Sequence, residues 1–144
     1  MHTIKQILDR KSRNIATISP DKTVFEAISF MAEKNYGSVV VMEHENYLGI
    51  LTERDYARKV ILQKKSSKEL VVKEIMSTDL PALKEDDTLE TCMEYMSKLN
   101  VRYLPVMESE KLVGLISIKD VVDEMIIQHK ETINQLTNYI NQGY

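Results

Sequence analysis

Two short stretches pair a hydroxyl with a carboxylate at the same spacing. In GILTERD (49–55) Thr52 precedes Asp55 by three residues, and in GLISIKD (114–120) Ser117 precedes Asp120 in the same way. Two readings are open for such a pair. A hydroxyl followed three residues later by an acid is a helix N-cap signature, in which the hydroxyl accepts from a backbone N–H of the first turn. The same helix start is also suited to an anion, because its first N–H groups lack intrahelical partners and the dipole favours negative charge there. A carboxylate one turn in can accept both hydroxyls of a ribose, so hydroxyl and carboxylate together suit a nucleoside phosphate. Capping boxes generally carry Glu or Gln at this place. Both stretches carry Asp, which leaves capping incomplete as an explanation.

The elements that must position these pairs are themselves duplicated. Sliding the chain by 65 positions sets Thr23 on Thr88, Val24 on Leu89, Ala27 on Cys92, Ile28 on Met93 and Met31 on Met96. The same shift sets Val41 on Val106, Met42 on Met107 and Gly49 on Gly114, with no gap from Ile18/Leu83 to Asp55/Asp120. Two copies are too few for a solenoid, so one globule with internal pseudo-twofold symmetry is expected.

Within each copy, Thr23 with Glu26 makes a capping box ahead of Val24, Ala27, Ile28 and Met31, an amphipathic helical stripe that Leu89, Cys92, Met93 and Met96 repeat. Short strands are expected before each helix, IATI at 15–18 and LPAL at 80–83. After it come SVVVM (38–42) and YLGIL (47–51), joined by the polar EHEN, and in the second copy RYLPVM and LVGLI, joined by ESEK. Each unit therefore reads strand, helix, strand, strand, helix, an α+β arrangement, and QKKSSKE (63–69) reads as the linker.

Composition narrows the function classes. The 144 residues, 43% hydrophobic and 28% charged, fit one domain of ordinary size with a real core. The net charge of -3 leaves no basic surplus for wrapping nucleic acid. The basic stretch ARKVILQKK lacks aromatics that could stack on bases. MHTIKQILDRK is too polar for a signal peptide and the apolar runs are far short of a membrane span, so a soluble, cytoplasmic protein is expected, with no membrane or nucleic-acid partner. Cys92 stands alone, which excludes an intrachain disulfide. His2, His44 and His129 are dispersed without metal-ligand spacing, so surface roles and no metal are expected. The Met residues on the helix stripes read as core filler. No Ser/His/Asp set, acid–base pair in a cleft or P-loop is present, which argues against an enzyme.

The doubled strand, helix and hairpin, closing on Gly, two aliphatics, Ser/Thr, two variable residues and Asp, resembles the CBS domain, usually found in tandem as a Bateman module. TERDYARKVILQKKSSKE followed by KEIM is similar in particular to the small stand-alone tandem-CBS proteins of bacteria and plant organelles. The resemblance implies one repeat over 1–63, a linker over 64–71, a second repeat over 72–128 and a helical tail over 129–144. It also implies a regulatory module that binds an adenine nucleotide, with AMP, ADP, ATP, NAD and S-adenosylmethionine as candidates, and no catalytic cofactor. In such pairs the Asp holds the ribose hydroxyls, while adenine slides between the first and second strands of the opposite repeat. One pocket would then join Thr52 and Asp55 to Leu80, Pro81, Ala82, Tyr103, Leu104 and Pro105. The other would join Ser117 and Asp120 to Ile15, Ala16, Thr17, Gly37, Ser38 and Val39. Arg54, Lys119 and Arg102 are the candidate phosphate ligands. Related proteins often place a basic residue after the Arg, where this chain has Tyr103.

The rival from another class is a ligand-free scaffold for protein association, and a third, compatible with the first, is an accessory subunit of a regulated enzyme or transporter. After the second repeat, HKETINQLTNYINQGY places Ile133, Leu136 and Ile140 on one helical face beside Tyr139. CBS pairs commonly dimerise, and a homodimer with this tail contributing is expected.

Overall fold

The structure, a computed structural model, describes residues 2–142. Helix α1 (Ile4–Arg10) was not anticipated from the polar N-terminal sequence. Thr3 and Gln6 form a reciprocal capping box, with Gln6 N–H donating to Thr3 Oγ1 at 3.3 Å and Thr3 N–H to Gln6 Oε1 at 3.0 Å. Its buried face, Ile4, Ile7 and Leu8, enters a core with Leu83, Leu89, Cys92, Met96, Leu104, Val106, Ile116 and Val121, which belong to the second repeat. The reverse exchange also occurs. A 3₁₀ turn at Val72–Glu74, the start of the second repeat, contributes Val72, and Ile75 follows it into the first core, beside Val24, Ala27, Met31, Val39, Val41, Leu51 and Val60. Each repeat is thus completed by the leading segment of the other, which explains why two copies fold as one body.

The remaining elements are β1 (Thr17–Ile18), α2 (Val24–Lys34), β2 (Ser38–Glu43), β3 (Asn46–Thr52), α3 (Glu53–Tyr56), α4 (Leu89–Leu99), β4 (Tyr103–Glu108), β5 (Lys111–Ser117) and α5 (Ile118–Gln142). Helices α2 and α4 start at Thr23 and Thr88, whose hydroxyls accept from Glu26 N and Thr91 N, and both end on an asparagine in the left-handed conformation, Asn35 and Asn100. Strands β2 and β3 pair antiparallel with β1 parallel on the outer edge, and β4 pairs antiparallel with β5. Both hairpins carry a register irregularity at the same place, Val41/Met42 and Val106/Met107.

Three expectations need correcting. The strand expected at 15–18 spans only Thr17–Ile18, and that at 80–83 shrinks to a single parallel bridge, Leu83 to Val106. Proline is the reason for the second loss. In the first repeat Val40 N–H donates to Ala16 O at 2.9 Å; 65 positions on these residues are Pro105 and Pro81, and Pro105 has no N–H to give. The supposed separate tail is no separate element either, since α5 runs unbroken from Ile118 to Gln142, 25 residues or about 37 Å. By contrast α3 passes into a π-helical turn at Ala57–Ile61 and stops. Residues 66–70 lie against the start of α2, with Phe25 N–H donating to Ser67 O and Val24 N–H to Leu70 O, and with the Lys68 ammonium 5.2 Å from the Phe25 ring centre.

The exchange also explains the glycines that open the two motifs. A Cβ on Gly49 would stand 2.5 Å from Ser77 O, on the segment that crosses from the second repeat. A Cβ on Gly114 would stand 2.6 Å from a Leu8 methyl, on the segment that crosses from the first.

Candidate functional site

The exchanged segments bring the two hydroxyl–carboxylate pairs to the boundary between repeats. At the start of α3, Thr52 is extended and its hydroxyl accepts from Asp55 N–H at 3.0 Å, while Asp55 Oδ2 accepts from Thr52 N–H at 3.0 Å and from the Thr52 hydroxyl at 3.1 Å. The capping reading is therefore met in full. The other carboxylate oxygen, Oδ1, accepts from the Ser77 hydroxyl at 2.9 Å and lies 3.0 Å from Lys59 Nζ, one turn along. Asp55 is buried, yet it lines a cavity of about 310 Å³ with Thr52, Glu53, Arg54, Ser77, Leu80, Val101, Arg102, Tyr103 and Gly37. An entering diol hydroxyl can replace that of Ser77 on Oδ1, one neutral donor for another.

The second pair is built differently. Asp120 Oδ2 accepts from Ser117 N–H at 2.8 Å and from Lys11 Nζ at 2.6 Å, and Lys11 Nζ donates also to Leu115 O at 2.9 Å. The place that matches Lys59 holds Glu124. The positive charge for Asp120 therefore comes from Lys11, at the C-terminal end of α1. The cavity here, about 370 Å³, is lined by Ser117, Lys119, Ile15, Ala16, Gly37 and Ser38, and also by Lys11, Ser12, Arg13 and Tyr103. Asp120 is not among its lining residues.

Of the residues expected to hold adenine, Leu80 and Tyr103 line the first cavity, and Ile15, Ala16, Gly37 and Ser38 the second. Leu104 and Val39 face away because strand residues alternate and these two are fully buried in the cores. Pro105 is buried as well, whereas Thr17, Pro81 and Ala82 lie outside both linings. Arg54 and Arg102 line the first cavity and Lys119 the second, with Arg54 also donating to Asn100 O. Lys119 is held by Asp123, which raises its pKa, chiefly through a hydrogen bond. Tyr103 and Gly37 line both cavities, and a Cβ on Gly37 would lie 2.3 Å from the Tyr103 hydroxyl, so the glycine admits the ring to the shared wall.

Sequence reasoning missed Lys11, Arg13 and Ser77. A signal existed for one of them, since Ser12 and Ser77 repeat at the same offset as the motifs. His2 is another correction. Expected at the surface, it is buried, with Nδ1 against Glu124 and Nε2 3.1 Å from Glu131, and Glu124 also accepts from Arg10 at 2.8 Å. Among the described residues no group of His, Cys, Asp and Glu could hold a metal ion. The Cys92 thiol is pushed up to about 12, mainly by burial and then by Asp120 and Asp87, so it does not act as a thiolate at neutral pH.

Comparison with known proteins agrees with this architecture. Residues 4–62 and 72–127 match the model of the CBS domain. A CBS domain-containing protein of Bacillus subtilis, YhcV, is 31% identical over 97% of this chain and 99% of its own length. The mitochondrial CBS domain-containing protein CBSX3 of Arabidopsis thaliana is 36% identical over 86% of this chain, which spans only 63% of that protein. Among solved structures, a protein with CBS domains from Burkholderia ambifaria superposes with a TM-score of 0.83 at 42% identity, covering 87% of this chain and 94% of its own. The repeated fold, the exchanged leading segments and these matches together place the chain in the CBS-domain family, as a tandem pair with an added C-terminal helical extension.

Proposed function

We propose that this chain is a regulatory module, not an enzyme, that binds an adenine nucleotide in the first cavity and signals its level to a partner enzyme or transporter. The observation that carries this reading is the composite wall of that cavity. Thr52, Arg54 and Asp55 come from the first repeat, and Leu80, Arg102 and Tyr103 from the second. A ligand filling it favours one packing of the repeats over others, which is how binding becomes a signal. In this reading Asp55 receives the ribose hydroxyls, Leu80 and Tyr103 flank adenine, and Arg54 and Arg102 face the phosphates. AMP, ADP, ATP, NAD and S-adenosylmethionine share the adenosine portion that these groups address.

The test is a thermal-shift titration with AMP, ATP, NAD and S-adenosylmethionine, with GMP as control. A ligand at 100 times its dissociation constant stabilises the native state by about 2.7 kcal/mol, several degrees for a chain of this size. At least one adenine ligand should shift the wild type and GMP should not. Should none do so, the nucleotide reading is wrong. Mass analysis of small molecules released on denaturation would then identify which ligand the purified protein carries.

A homodimer through α5 completes the proposal. Ile118, Val122, Ile126, Ile133, Leu136 and Ile140 are all exposed and recur along one face of that helix. A stripe of that length is what a matching helix of a second copy would cover. The same stripe favours the scaffold reading, in which association is the whole function. Light scattering on a chain truncated after Gln128 separates them: a monomer that still binds nucleotide retains the sensor role, and an unchanged dimer removes the tail from the interface.

A further inference from the structure

We propose that Tyr103 and Glu53 close the first cavity at the end that meets the second, and so select a nucleoside monophosphate over a triphosphate. This rests on the reading of that cavity as the adenine nucleotide site, and it deepens it by naming the ligand class and the residues that choose it. The offset of 65 sets Gly37 and Ser38 on Arg102 and Tyr103, so one repeat carries a small pair where the other carries a bulky one. The bulky pair fills the room that the small pair leaves. The Tyr103 hydroxyl lies 2.3 Å from the point where a Cβ on Gly37 would stand, and Glu53 Oε1 lies 3.4 Å from the same point. Gly37 itself is pinned, its carbonyl accepting from Glu53 N–H at 3.2 Å. Because Gly37 and Tyr103 line both cavities, the place where ring, carboxylate and backbone meet is the partition between them.

That partition stands at the phosphate end of the first cavity. Glu53 lies between Thr52 and Arg54, and its backbone bond to Gly37 brings the start of α3 against the wall. The flank of the Tyr103 ring is left for the base, while its hydroxyl end bars the way beyond a first phosphate. Charge acts in the same direction. The lining holds two cations, Arg54 and Arg102, and two carboxylates, Asp55 and Glu53. With Asp55 turned to the ribose and paired with Lys59, the two arginines match a single phosphate ester, which carries about -1.5 to -2 at neutral pH. Each further phosphate meets the Glu53 carboxylate with no cation added, and like charges set against each other work against a complex. Volume agrees, since about 310 Å³ stands at the small end of ligand pockets, which run from about 300 to 1,000 Å³.

The experiment compares AMP and ATP by calorimetry on the full chain, and its readout is the ratio of the two affinities. A lost base contact or a general loosening of the site moves both ligands together and leaves that ratio alone. The wild type should bind AMP about tenfold or more tighter than ATP. Tyr103→Ser, the exchange for the residue type at the matching place of the first repeat, should cut the preference by about tenfold. Tyr103→Phe keeps the ring and should keep the preference. Glu53→Gln should cut it severalfold by removing the repulsion, and because Glu53 is exposed this variant carries the test if Tyr103→Ser does not fold. A wild type that binds ATP at least as tightly as AMP, or a ratio that neither Tyr103→Ser nor Glu53→Gln moves, overturns the proposal and leaves the nucleotide reading standing. A wild type that binds none of AMP, ATP, NAD and S-adenosylmethionine sinks the nucleotide reading itself, and this selection with it.

Discussion

Asp55 and Asp120 occupy the same place in two copies of one unit, yet their surroundings differ in where the compensating charge comes from. Asp55 takes it locally, from Lys59 one turn along α3, and keeps a face on its cavity. Asp120 takes it from the far end of the chain's first helix, through Lys11, and its side chain is the more exposed of the two, 15% against 8%. The residue in the Lys59 position of the second copy has become Glu124, 2% exposed, paired with Arg10 and in contact with the His2 ring. Duplication therefore preserved the helix caps and let the charges around them diverge. A motif that looks twofold in sequence is asymmetric in chemistry.

The largest effect that tests this comparison comes from Glu124. Glu124 is buried and bonds to both Arg10 and the buried His2 ring, so removing it leaves Nδ1 of that ring without a partner, a loss of about 2–3 kcal/mol. Glu124→Ala should therefore lower the unfolding free energy by about that amount in urea. Lys59→Ala, at the matching place but on a partly exposed side chain, leaves Asp55 its hydrogen bonds from Thr52 and Ser77 and should cost under about 1 kcal/mol. Equal losses would show that Glu124 and Lys59 play the same part after all.

The glycines give the next effect. Gly49→Ala forces a methyl against the backbone carbonyl of Ser77, which the Ile50–Ser77 bridge holds in place. Gly114→Ala meets only the methyls of Leu8, which can shift by rotation within the core. Overpacking costs about 1–3 kcal/mol, and Gly49→Ala should fall at the upper end and Gly114→Ala at the lower. Denaturation midpoints of the two variants check the order.

For nucleotide binding, Asp55→Asn should weaken the best adenine ligand by about tenfold or more. Asn keeps the shape and one acceptor but loses the charge, and charge-assisted bonds are roughly twice as strong as neutral ones. Calorimetric titration checks this.

The α2 and α4 stripes, their threonine caps and both hairpins were legible in sequence because each depends on residues close along the chain, and the duplication because its offset stays constant without a gap. The exchange of leading segments was not, since nothing local in IKQILDR says which core its apolar face will enter. The loss of the strand at 80–83 was legible in principle from Pro81 and Pro105, but only once the pairing partner was known. At the site, Thr52, Asp55, Arg54, Arg102, Leu80 and Tyr103 line one cavity, a juxtaposition that the family resemblance implied and no local spacing did. What sequence could not reveal is that Asp120 is engaged by a lysine 109 residues away. Such a contact carries no periodicity and no spacing.

The smallest effect is the most discriminating. If Asp120 serves only as a helix cap paired with Lys11, Asp120→Asn should cost at most about 1 kcal/mol of stability, the ordinary worth of a cap. Asn can still accept from Ser117 N–H, so the helix start should persist. Adenosine affinity should change by less than about twofold, under about 0.4 kcal/mol by the usual conversion, because the residue does not line the cavity that holds the nucleoside. Thermal melts and calorimetry of Asp55→Asn and Asp120→Asn, run side by side, make the comparison direct. An adenosine loss at Asp120→Asn as large as at Asp55→Asn would mean that Lys11 releases the carboxylate when ligand arrives. In that case the ion pair is a latch on a second nucleoside site, and the two carboxylates become equivalent once ligand is bound.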